Sequence, residues 1–398
     1  MPQFFPFFLI LFIGLFFSEL FYRLHLPLVV ALILGGIITG PYGLGLFSPD
    51  TTLKLIGEIG LIFLMFMAGL EIKLSTFKEI GSGVLRMVFF NGVIPAILGL
   101  GLGLYFGYSL AASFLIGIIF ISSSIAVVIP SLEANKLMEN RLGKTIIAST
   151  VVADVLSLVL LSILLQTQSP TASLPLPLFY TVLLFALIAL RWALPRIRWF
   201  VFKHSPQGVN LFEWEFQLIF VILLGTVIIF ELLGLHSIIA GFFAGFVLSE
   251  SIKSDVLKGK LRAISYGFFI PVFFVLIGAD ANIRVFGEIG GAAIWFTVAL
   301  VFVSVFAKFF GGWIGSRING FNIKESTIAG AATIPQLSTT LAAVVAGFEL
   351  GILDEELVAA MIILSIITTL AGPIFLWLAK KNYSPNVSDN LNASIKAT

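Results

Sequence analysis

Long apolar runs alternate with short polar connections over nearly the whole chain. Most of the runs are long enough for a helix that rises about 1.5 Å per residue to cross the apolar layer of a bilayer. Such runs with few charges predict transmembrane helices, and the short connections predict no separate soluble domain. Thirteen segments can be marked, at 4–22, 27–46, 53–70, 86–106, 110–131, 143–165, 176–195, 213–232, 236–250, 264–280, 290–312, 325–348 and 355–379. The pattern therefore predicts an all-α membrane protein with about 13 transmembrane helices.

The composition agrees with this fold class. Of 398 residues, 59% are hydrophobic and 11% are charged, whereas soluble proteins carry about 25% charged residues. There is no cysteine, which excludes disulfides and thiolate metal sites, and the three histidines lie far apart without metal-ligand spacing. No phosphate-binding loop and no basic stretch interleaved with aromatics is present. We therefore expect neither an enzyme nor a cofactor, and no nucleic acid as partner.

Basic residues predict the orientation in the membrane. Twenty of the 23 lysines and arginines lie in connections on one side, while Lys54 and Arg284 lie on the other and Lys308 falls inside a segment. By the positive-inside rule, this distribution predicts a multi-pass protein of the cell inner membrane with its N-terminus outside and its C-terminus in the cytoplasm. The polar stretch 382–398 is predicted to be a disordered cytoplasmic tail.

One carboxylate lies in the middle of the sixth segment, 143–165. A charge at this depth costs at least about 3 kcal/mol, so Asp154 should face a polar cavity or a partner. Thr150 precedes it by four residues, and on a helix the two side chains share a face. This pattern favours an ion-binding carboxylate; the alternative is a buried Asp that only tethers helices through a hydrogen bond.

A single lysine lies in the eleventh segment, 290–312. Lys308 has apolar or small residues on most sides and is too central to reach the interface easily. An ammonium there needs an acid or other acceptors, or it loses its proton. The alternative role is structural, with Lys308 neutralising helix ends and holding the fold together.

Two segments carry polar residues and a proline at membrane depth. The fifth contains Ser122, Ser123 and Ser124 before Pro130, and the twelfth contains Thr333, Gln336 and Ser338 around Pro335. Hydroxyls beside proline are typical of unwound stretches whose free carbonyl groups bind a cation. The alternative is an unbroken, kinked helix in which the hydroxyls bond back to the main chain.

A weak internal repeat relates the two halves of the chain. The Gly-Leu-Glu at Gly69 matches the Gly-Ala-Asp at Gly278, and the Gly36 and Gly40 pair matches Gly241 and Gly245. Each match, like that of the two prolines, recurs at an offset of about 205–210 residues. With the orientation given above, the matched segments run in opposite directions, which predicts two inverted repeats of a transporter.

These residues resemble a known family. Four stretches carry the resemblance, at Pro27–Pro41, Glu58–Glu71, Leu235–Ser251 and Phe269–Gly278. They look like the second, third, ninth and tenth helices of the monovalent cation:proton antiporters, in the branch that includes bacterial sodium/proton exchangers and Kef-type potassium efflux transporters. The resemblance covers about residues 20 to 375.

The resemblance implies a thirteen-helix fold of two inverted repeats with two crossed discontinuous helices. It implies a transmembrane antiporter domain over 1–381 in a homodimer. The family's transport carboxylate falls on Asp154, its core lysine on Lys308, and its hydroxyl ligands on the three serines named above. Core helices would occupy approximately 86–165 and 290–379, and dimerisation or scaffold helices approximately 4–70 and 213–280.

The sequence departs from the family pattern in two places. Ala153 stands where electrogenic members carry a second acid and other members carry Asn or Gln. Gln336, Leu337 and Ser338 stand where the family often has Arg-Gly-Glu. With a single acid, the simplest expectation is an exchange of one proton per cation.

The expected mechanism is competition at Asp154, which would bind either a proton or a monovalent cation, Na⁺ or K⁺. Burial favours the protonated form of a carboxyl group, so the two ions can compete near neutral pH. Three alternatives stay open: a Kef-type K⁺ efflux protein without its regulatory domain, a Na⁺-coupled symporter of the same fold, and a channel or non-transporting scaffold. The expected partners are therefore Na⁺ or K⁺, H⁺ and membrane lipid.

Overall fold

The protein is represented by a computed structural model that describes residues 4–23, 27–71, 81–168, 181, 185, 192, 196, 211–232, 236–249, 252, 255–284 and 291–381. Within these ranges the regular secondary structure is entirely helical. Seven helical spans within these ranges are long and apolar enough to cross a membrane, and two of them, Leu110–Ala134 and Val256–Asp280, each combine two of the helices named below. Most of the predicted segment 176–195 and the whole predicted tail 382–398 lie outside the described residues.

The described helices follow the apolar segments closely. They are α1 (Phe5–Arg23), α2 (Leu28–Thr39), α3 (Thr51–Glu71), α4 (Ser82–Tyr105), α5 (Leu110–Ile121), α6 (Ile125–Ala134), α7 (Arg141–Gln168), α8 (Leu211–Leu232), α9 (Ser237–Leu248), α10 (Asp255–Ile264), α11 (Ile270–Asp280), α12 (Gly291–Ile318), α13 (Ile323–Ala332), α14 (Ser338–Glu349) and α15 (Glu355–Lys380). A π-helical turn, Ser265–Phe269, joins α10 to α11. The predicted start of the tenth segment at 264 was wrong, because the amphipathic helix α10 precedes its apolar part.

The chain divides into two compact units. The first unit comprises Met1–Ser75 and Ser162–Ile283, and the second comprises Thr76–Leu161 and Arg284–Thr398. Each unit therefore combines one stretch from each half of the chain.

Glycines let pairs of helices approach closely in the first unit. A Cβ atom added to Gly36 of α2 would collide with the carbonyl of Val275 in α11, and one added to Gly278 of α11 would collide with that of Ile33 in α2. The pair α3 and α9 repeats this arrangement through Gly69 and Gly245. In lipid, the burial of apolar surface does not drive helices together, so they associate through close packing at small residues such as these glycines.

The close approach of α3 to α9 gives a prediction. In Gly69→Ala the new methyl group meets the carbonyl of Phe242 and the main-chain nitrogen of Phe246. We expect this variant to lose about 1–3 kcal/mol of stability, the usual cost of overpacking. The matched control is Gly225→Ala on α8, where an added Cβ has open space. Thermal denaturation in detergent tests both variants; equal melting temperatures for Gly69→Ala and the parent would contradict the close contact.

The second unit is also built on close helix contacts. The main chain of Met87 in α4 lies against Gly315 of α12, and Phe90 and Asn91 of α4 lie against Gly311. Gly312 of α12 lies against the main chain of Ala329 and Gly330 in α13. Helix α12 is therefore held closely on two sides, and its residues Ser304, Lys308 and Ser316 are buried.

Polar side chains fix where several helices of this unit begin. Ser109 accepts a hydrogen bond from the N–H of Ala112 at the start of α5, and Asp354 accepts one from Leu357 at the start of α15. Asn322 and Glu325 form a capping box at the start of α13. These caps satisfy N–H groups that have no partner within the helix.

Both predicted helix interruptions are present. Ser122 and Ser124 have extended backbones between α5 and α6, and five residues, Thr333 to Leu337, separate α13 from α14. Pro335 lies in the second gap, where a proline lacks the N–H that would continue the helix. Pro130 lies inside α6, so the first interruption is placed by the serines rather than by the proline.

Candidate functional site

The two interruptions contact each other in the second unit. The N–H of Ser124 donates to the carbonyl oxygen of Pro335 at 2.7 Å, and the Ser123 hydroxyl donates to that of Thr333 at 3.0 Å. All four residues are buried. These bonds satisfy main-chain groups that the interruptions leave without helical partners, and they join the two gaps into one polar centre.

Asp154 lies beside this centre, at the start of α6. It projects from α7, and its side chain Oδ1 accepts a hydrogen bond from the N–H of Ser123 at 3.2 Å. The N-terminal end of a helix carries partial positive charge, which stabilises a carboxylate. Only 5% of Asp154 is exposed, so its charge depends on these protein groups rather than on water.

Two hydroxyl groups near Asp154 are not used by the fold. Thr150 lies one turn before Asp154 on α7. Ser124 is the residue after Ser123, whose N–H donates to Asp154. The side chains of Thr150 and Ser124 are both buried. Within the described part of the chain, neither hydroxyl has a hydrogen-bond partner. Ser157, on the same face, instead donates to the carbonyl oxygen of Asp154 itself. The free hydroxyls of Thr150 and Ser124 are therefore available as ligands beside the carboxylate.

Lys308 lies at the end of α5. Its Nζ donates to the carbonyl oxygen of Ile121 at 2.8 Å and more weakly to that of Asn91 at 3.5 Å. Ile121 is the last residue of α5, and the carbonyls at the C-terminal end of a helix lack helical partners and carry partial negative charge. The fully buried ammonium is thus held by main-chain carbonyls.

Asp154 and Lys308 approach the first interruption from opposite ends. The carboxylate is bonded at Ser123, and the ammonium is bonded two residues earlier, at Ile121. Among the described residues, these two side chains form no ion pair within 4.0 Å of each other, and no group of three or more His, Cys, Asp or Glu residues could hold a metal ion. Of the partners that the sequence allowed for Lys308, an acid or other acceptors, the structure therefore shows main-chain carbonyls.

Gln336 also binds the end of α5. Its Nε2 lies 3.4, 3.2 and 3.4 Å from the carbonyl oxygens of Ile119, Phe120 and Ser122, and its Oε1 accepts from the Ser304 hydroxyl at 2.8 Å. A neutral amide from the second interruption thus shares the capping of α5 with Lys308. Both groups reduce the cost of ending a helix inside the protein.

The other predicted site residues have different surroundings. The Thr333 hydroxyl donates within its own turn and to the carbonyl oxygen of Lys308, so it connects α12 to the second interruption. The Ser122 hydroxyl lies 3.5 Å from that of Thr340 in α14. Ser338 is the first residue of α14 and is nearly buried. The structure therefore brings all the predicted polar residues into one unit but gives them separate roles.

Asn91 on α4 was not among the site residues predicted from the sequence. It is fully buried, its carbonyl oxygen accepts from Lys308, and the neighbouring Gly92 packs against Ile121. The available signal was an amide in an otherwise apolar segment. It was overlooked because an Asn carries no charge and has no polar neighbour in sequence.

A buried carboxylate at two interrupted helices is an arrangement typical of secondary transporters. The family model described as "Sodium/hydrogen exchanger, transmembrane" matches residues 7–381, and the chain belongs to this family. The resemblance drawn from the sequence is thus confirmed, as is the expectation that the protein is a membrane transporter and not an enzyme.

Several relatives cover nearly the full chain. A probable Na⁺/H⁺ antiporter of Methanocaldococcus jannaschii is 33% identical over 93% of this chain and 95% of its own length. An Na⁺/H⁺ antiporter of Enterococcus hirae is 29% identical over 92% and 95%. GerN of Bacillus cereus, named as an Na⁺/H⁺-K⁺ antiporter, is 30% identical over 89% and 90%.

The fold is similar to a solved structure. The sodium proton antiporter MjNhaP1 of Methanocaldococcus jannaschii superimposes with a TM-score of 0.66 at 19% identity, covering 94% of this chain and 96% of that one. This comparison supports the all-helical membrane fold.

Proposed function

We propose that the protein exchanges a monovalent cation, Na⁺ or K⁺, for H⁺ across the membrane by alternating access. The observation that carries the proposal is Asp154, a nearly buried carboxylate beside two contacting helix interruptions. Among the described residues, Asp154 and Lys308 are the only charged side chains that are buried. A reversible binding site for both a cation and a proton needs such a group.

Competition at Asp154 couples the two ions. The carboxylate accepts a proton, or it binds a cation together with neighbouring oxygen atoms, but it does not do both. The hydroxyls of Thr150 and Ser124 are the proposed additional ligands, because they are buried and otherwise unused. Ser123 contributes its N–H, which stabilises the empty carboxylate.

Lys308 and Gln336 have a supporting role in this proposal. Both donate hydrogen bonds to carbonyl groups at the end of α5 and so stabilise the first interruption. Thr333 and Ser122 connect this region to α12 and α14. Since Lys308 forms no ion pair with Asp154 here, a cation at Asp154 has no ammonium to displace in this state.

The relatives support Na⁺ as the first cation to test. Two of them are named as Na⁺/H⁺ antiporters, and GerN, at 30% identity, is named with K⁺ as well. Hydroxyl and carboxylate oxygens suit both ions, so K⁺ belongs in the same experiment.

The test is proton movement in proteoliposomes that contain a pH-sensitive dye, after addition of Na⁺, K⁺ or Li⁺. We expect at least one cation to drive internal alkalinisation or acidification according to its gradient. With one carboxylate the exchange is one for one, so no sustained current should accompany it on a solid-supported membrane. If none of the three cations changes the internal pH, the proposed exchange is contradicted. A sustained current would contradict only the one-for-one stoichiometry.

We also propose the membrane architecture that the sequence predicts, with thirteen spans in two inverted repeats. The glycine contacts support it, because α2 with α11 and α9 with α3 are the same repeat-related pairing made twice. The second unit, with Asp154 and both interruptions, is the proposed core domain, and the first is the proposed scaffold. A homodimer in the inner membrane, with the N-terminus outside, completes the proposal.

A further inference from the structure

A threonine of α15 bonds the main chain of the second interruption. The side chain Oγ1 of Thr368 accepts a hydrogen bond from the N–H of Gln336 at 3.3 Å, and it lies 3.3 Å from the carbonyl oxygen of the same residue. Both residues are fully buried. Gln336 lies between α13 and α14, so its N–H has no helical partner, and a buried N–H without any partner is costly. Thr368 supplies the partner that the interruption lacks.

The hydroxyl proton of Thr368 can serve only one acceptor at a time. The shortest of its acceptor distances is 2.8 Å, to the carbonyl oxygen of Leu364 on its own helix, while those to Gln336 and Ser365 are 3.3 and 3.4 Å. Donation to Leu364 leaves the lone pairs of the hydroxyl oxygen free to accept from the N–H of Gln336. The bond from this N–H to Thr368 is therefore the one that connects α15 to the interruption.

Gly372 provides a second contact between α15 and the interruption. It follows Thr368 by four residues, so the two positions share one face of the helix. A Cβ atom added to Gly372 would collide with the ring of Pro335. Helix α15 thus holds two successive residues of the interruption, Pro335 and Gln336, at two points one turn apart.

Pro335 in turn fixes the residues beside the carboxylate. Its carbonyl oxygen accepts a hydrogen bond from the N–H of Ser124 at 2.7 Å, and the preceding residue, Ser123, donates its own N–H to Asp154. Ser124 also carries one of the two hydroxyls proposed above as cation ligands. A continuous series of contacts therefore connects α15, through the second interruption, to the proposed ion-binding site.

We propose that Thr368 is a positioning residue for cation binding at Asp154. By fixing the main chain of Gln336, it keeps Pro335, and with it Ser124, where cation binding requires them. Loss of the hydroxyl leaves the N–H of Gln336 without its partner, and the interruption moves to regain one. The inference rests on the proposed function, since it assigns Thr368 a part in the binding of the transported cation.

The next residue of α15 offers a matched control. Thr369 is also fully buried, but within the described part of the chain its hydroxyl has no hydrogen-bond partner. Valine has the branched shape of threonine without the hydroxyl, so the same substitution can be made at both positions. Removing a buried hydroxyl that makes no bond should cost little, whereas removing one that satisfies a buried N–H should not.

The experiment measures the dye-reported pH change in proteoliposomes over a series of Na⁺ and K⁺ concentrations, with the full chain. We expect Thr368→Val to raise the apparent KM for the transported cation about tenfold, the equivalent of one buried hydrogen bond, with kcat within about twofold of the parent. Thr369→Val should match the parent in both constants. Thr368→Ser, which keeps the hydroxyl, should recover most of the loss.

The outcomes separate positioning from a purely structural role. If Thr368→Val has the parent KM, the inference is overturned even where the rate falls, because fewer folded molecules lower the rate without changing the affinity for the cation. An equal rise in KM for Thr369→Val overturns it as well. If Thr368→Val does not fold, Thr368→Ser and Thr368→Ala decide, since they differ only in the hydroxyl, and equal KM values for the two would refute the inference.

Asp154→Asn, measured in parallel, distinguishes failure of the inference from failure of the function on which it rests. If Asp154→Asn is inactive while Thr368→Val behaves as the parent, only the role of Thr368 is wrong. If Asp154→Asn still exchanges ions, the proposed function itself is wrong.

Discussion

Asp154→Asn is expected to abolish cation-driven proton movement. The amide is nearly the same size as the carboxyl group, but it has no charge for a cation and takes up no proton in the physiological range. The variant should retain less than about a hundredth of the parent rate, because no other carboxylate among the described residues is buried. The measurement is the pH response of dye-loaded proteoliposomes to a Na⁺ or K⁺ gradient.

The matched control for this prediction is Asp354→Asn. Asp354 is exposed and accepts a hydrogen bond from the N–H of Leu357 at the start of α15, and Asn caps helices as well as Asp does. The same chemical change should therefore leave the rate and the stability unchanged at this position. Exchange by Asp154→Asn at more than a tenth of the parent rate would refute competition at a single carboxylate.

Lys308→Met is expected to destabilise the second unit. The ammonium is the donor to the buried carbonyl of Ile121, and methionine has a similar length but no donor. Leaving this carbonyl unpaired costs about 1–3 kcal/mol, and the melting temperature in detergent should fall accordingly. Exchange should also decrease, because the interruption beside Asp154 loses one of its supports.

A second substitution separates the donor from the charge. Lys308→Gln keeps an N–H donor without the charge, so it should be more stable than Lys308→Met although its reach is shorter. Lys144→Met on the exposed surface of α7 is the control, and it should lie within about 0.5 kcal/mol of the parent. If Lys308→Met has the same melting temperature as the parent, the hydrogen bond from Lys308 to the carbonyl of Ile121 contributes nothing to stability.

The pattern of the sequence was sufficient for the broad architecture. Continuous apolar runs of this length with few charges indicate membrane helices, since a helix satisfies its main-chain groups within its own segment. The same reasoning located the interruptions, because three serines in a row and a proline beside Gln336 are poor residues for a continuous apolar helix. Both gaps occur where these residues lie.

The ends of helices were less well predicted where a helix is polar or where an apolar run continues past the end of a helix. Helix α10 is amphipathic and charged, so hydropathy excluded it, yet it continues through the π-helical turn into α11. Conversely, the predicted second segment extends to 46, whereas α2 ends at Thr39 because Gly40 and Pro41 follow. Hydropathy measures preference for lipid, and helix ends are set by local backbone chemistry.

The sequence by itself singled out the candidate site residues: one acid, one lysine and two polar interruptions in otherwise apolar segments. Each is conspicuous because charge and free main-chain groups are costly in an apolar environment. Only the tertiary structure decided their partners. It bonds Lys308 to carbonyls rather than to Asp154, assigns Gln336 to the end of α5, and brings the main-chain carbonyl of Asn91 to Lys308. These contacts join residues more than 180 positions apart in the sequence. Such hydrogen bonds depend on how the helices pack against each other. Hydropathy and residue spacing describe only one helix at a time, so they do not predict these bonds.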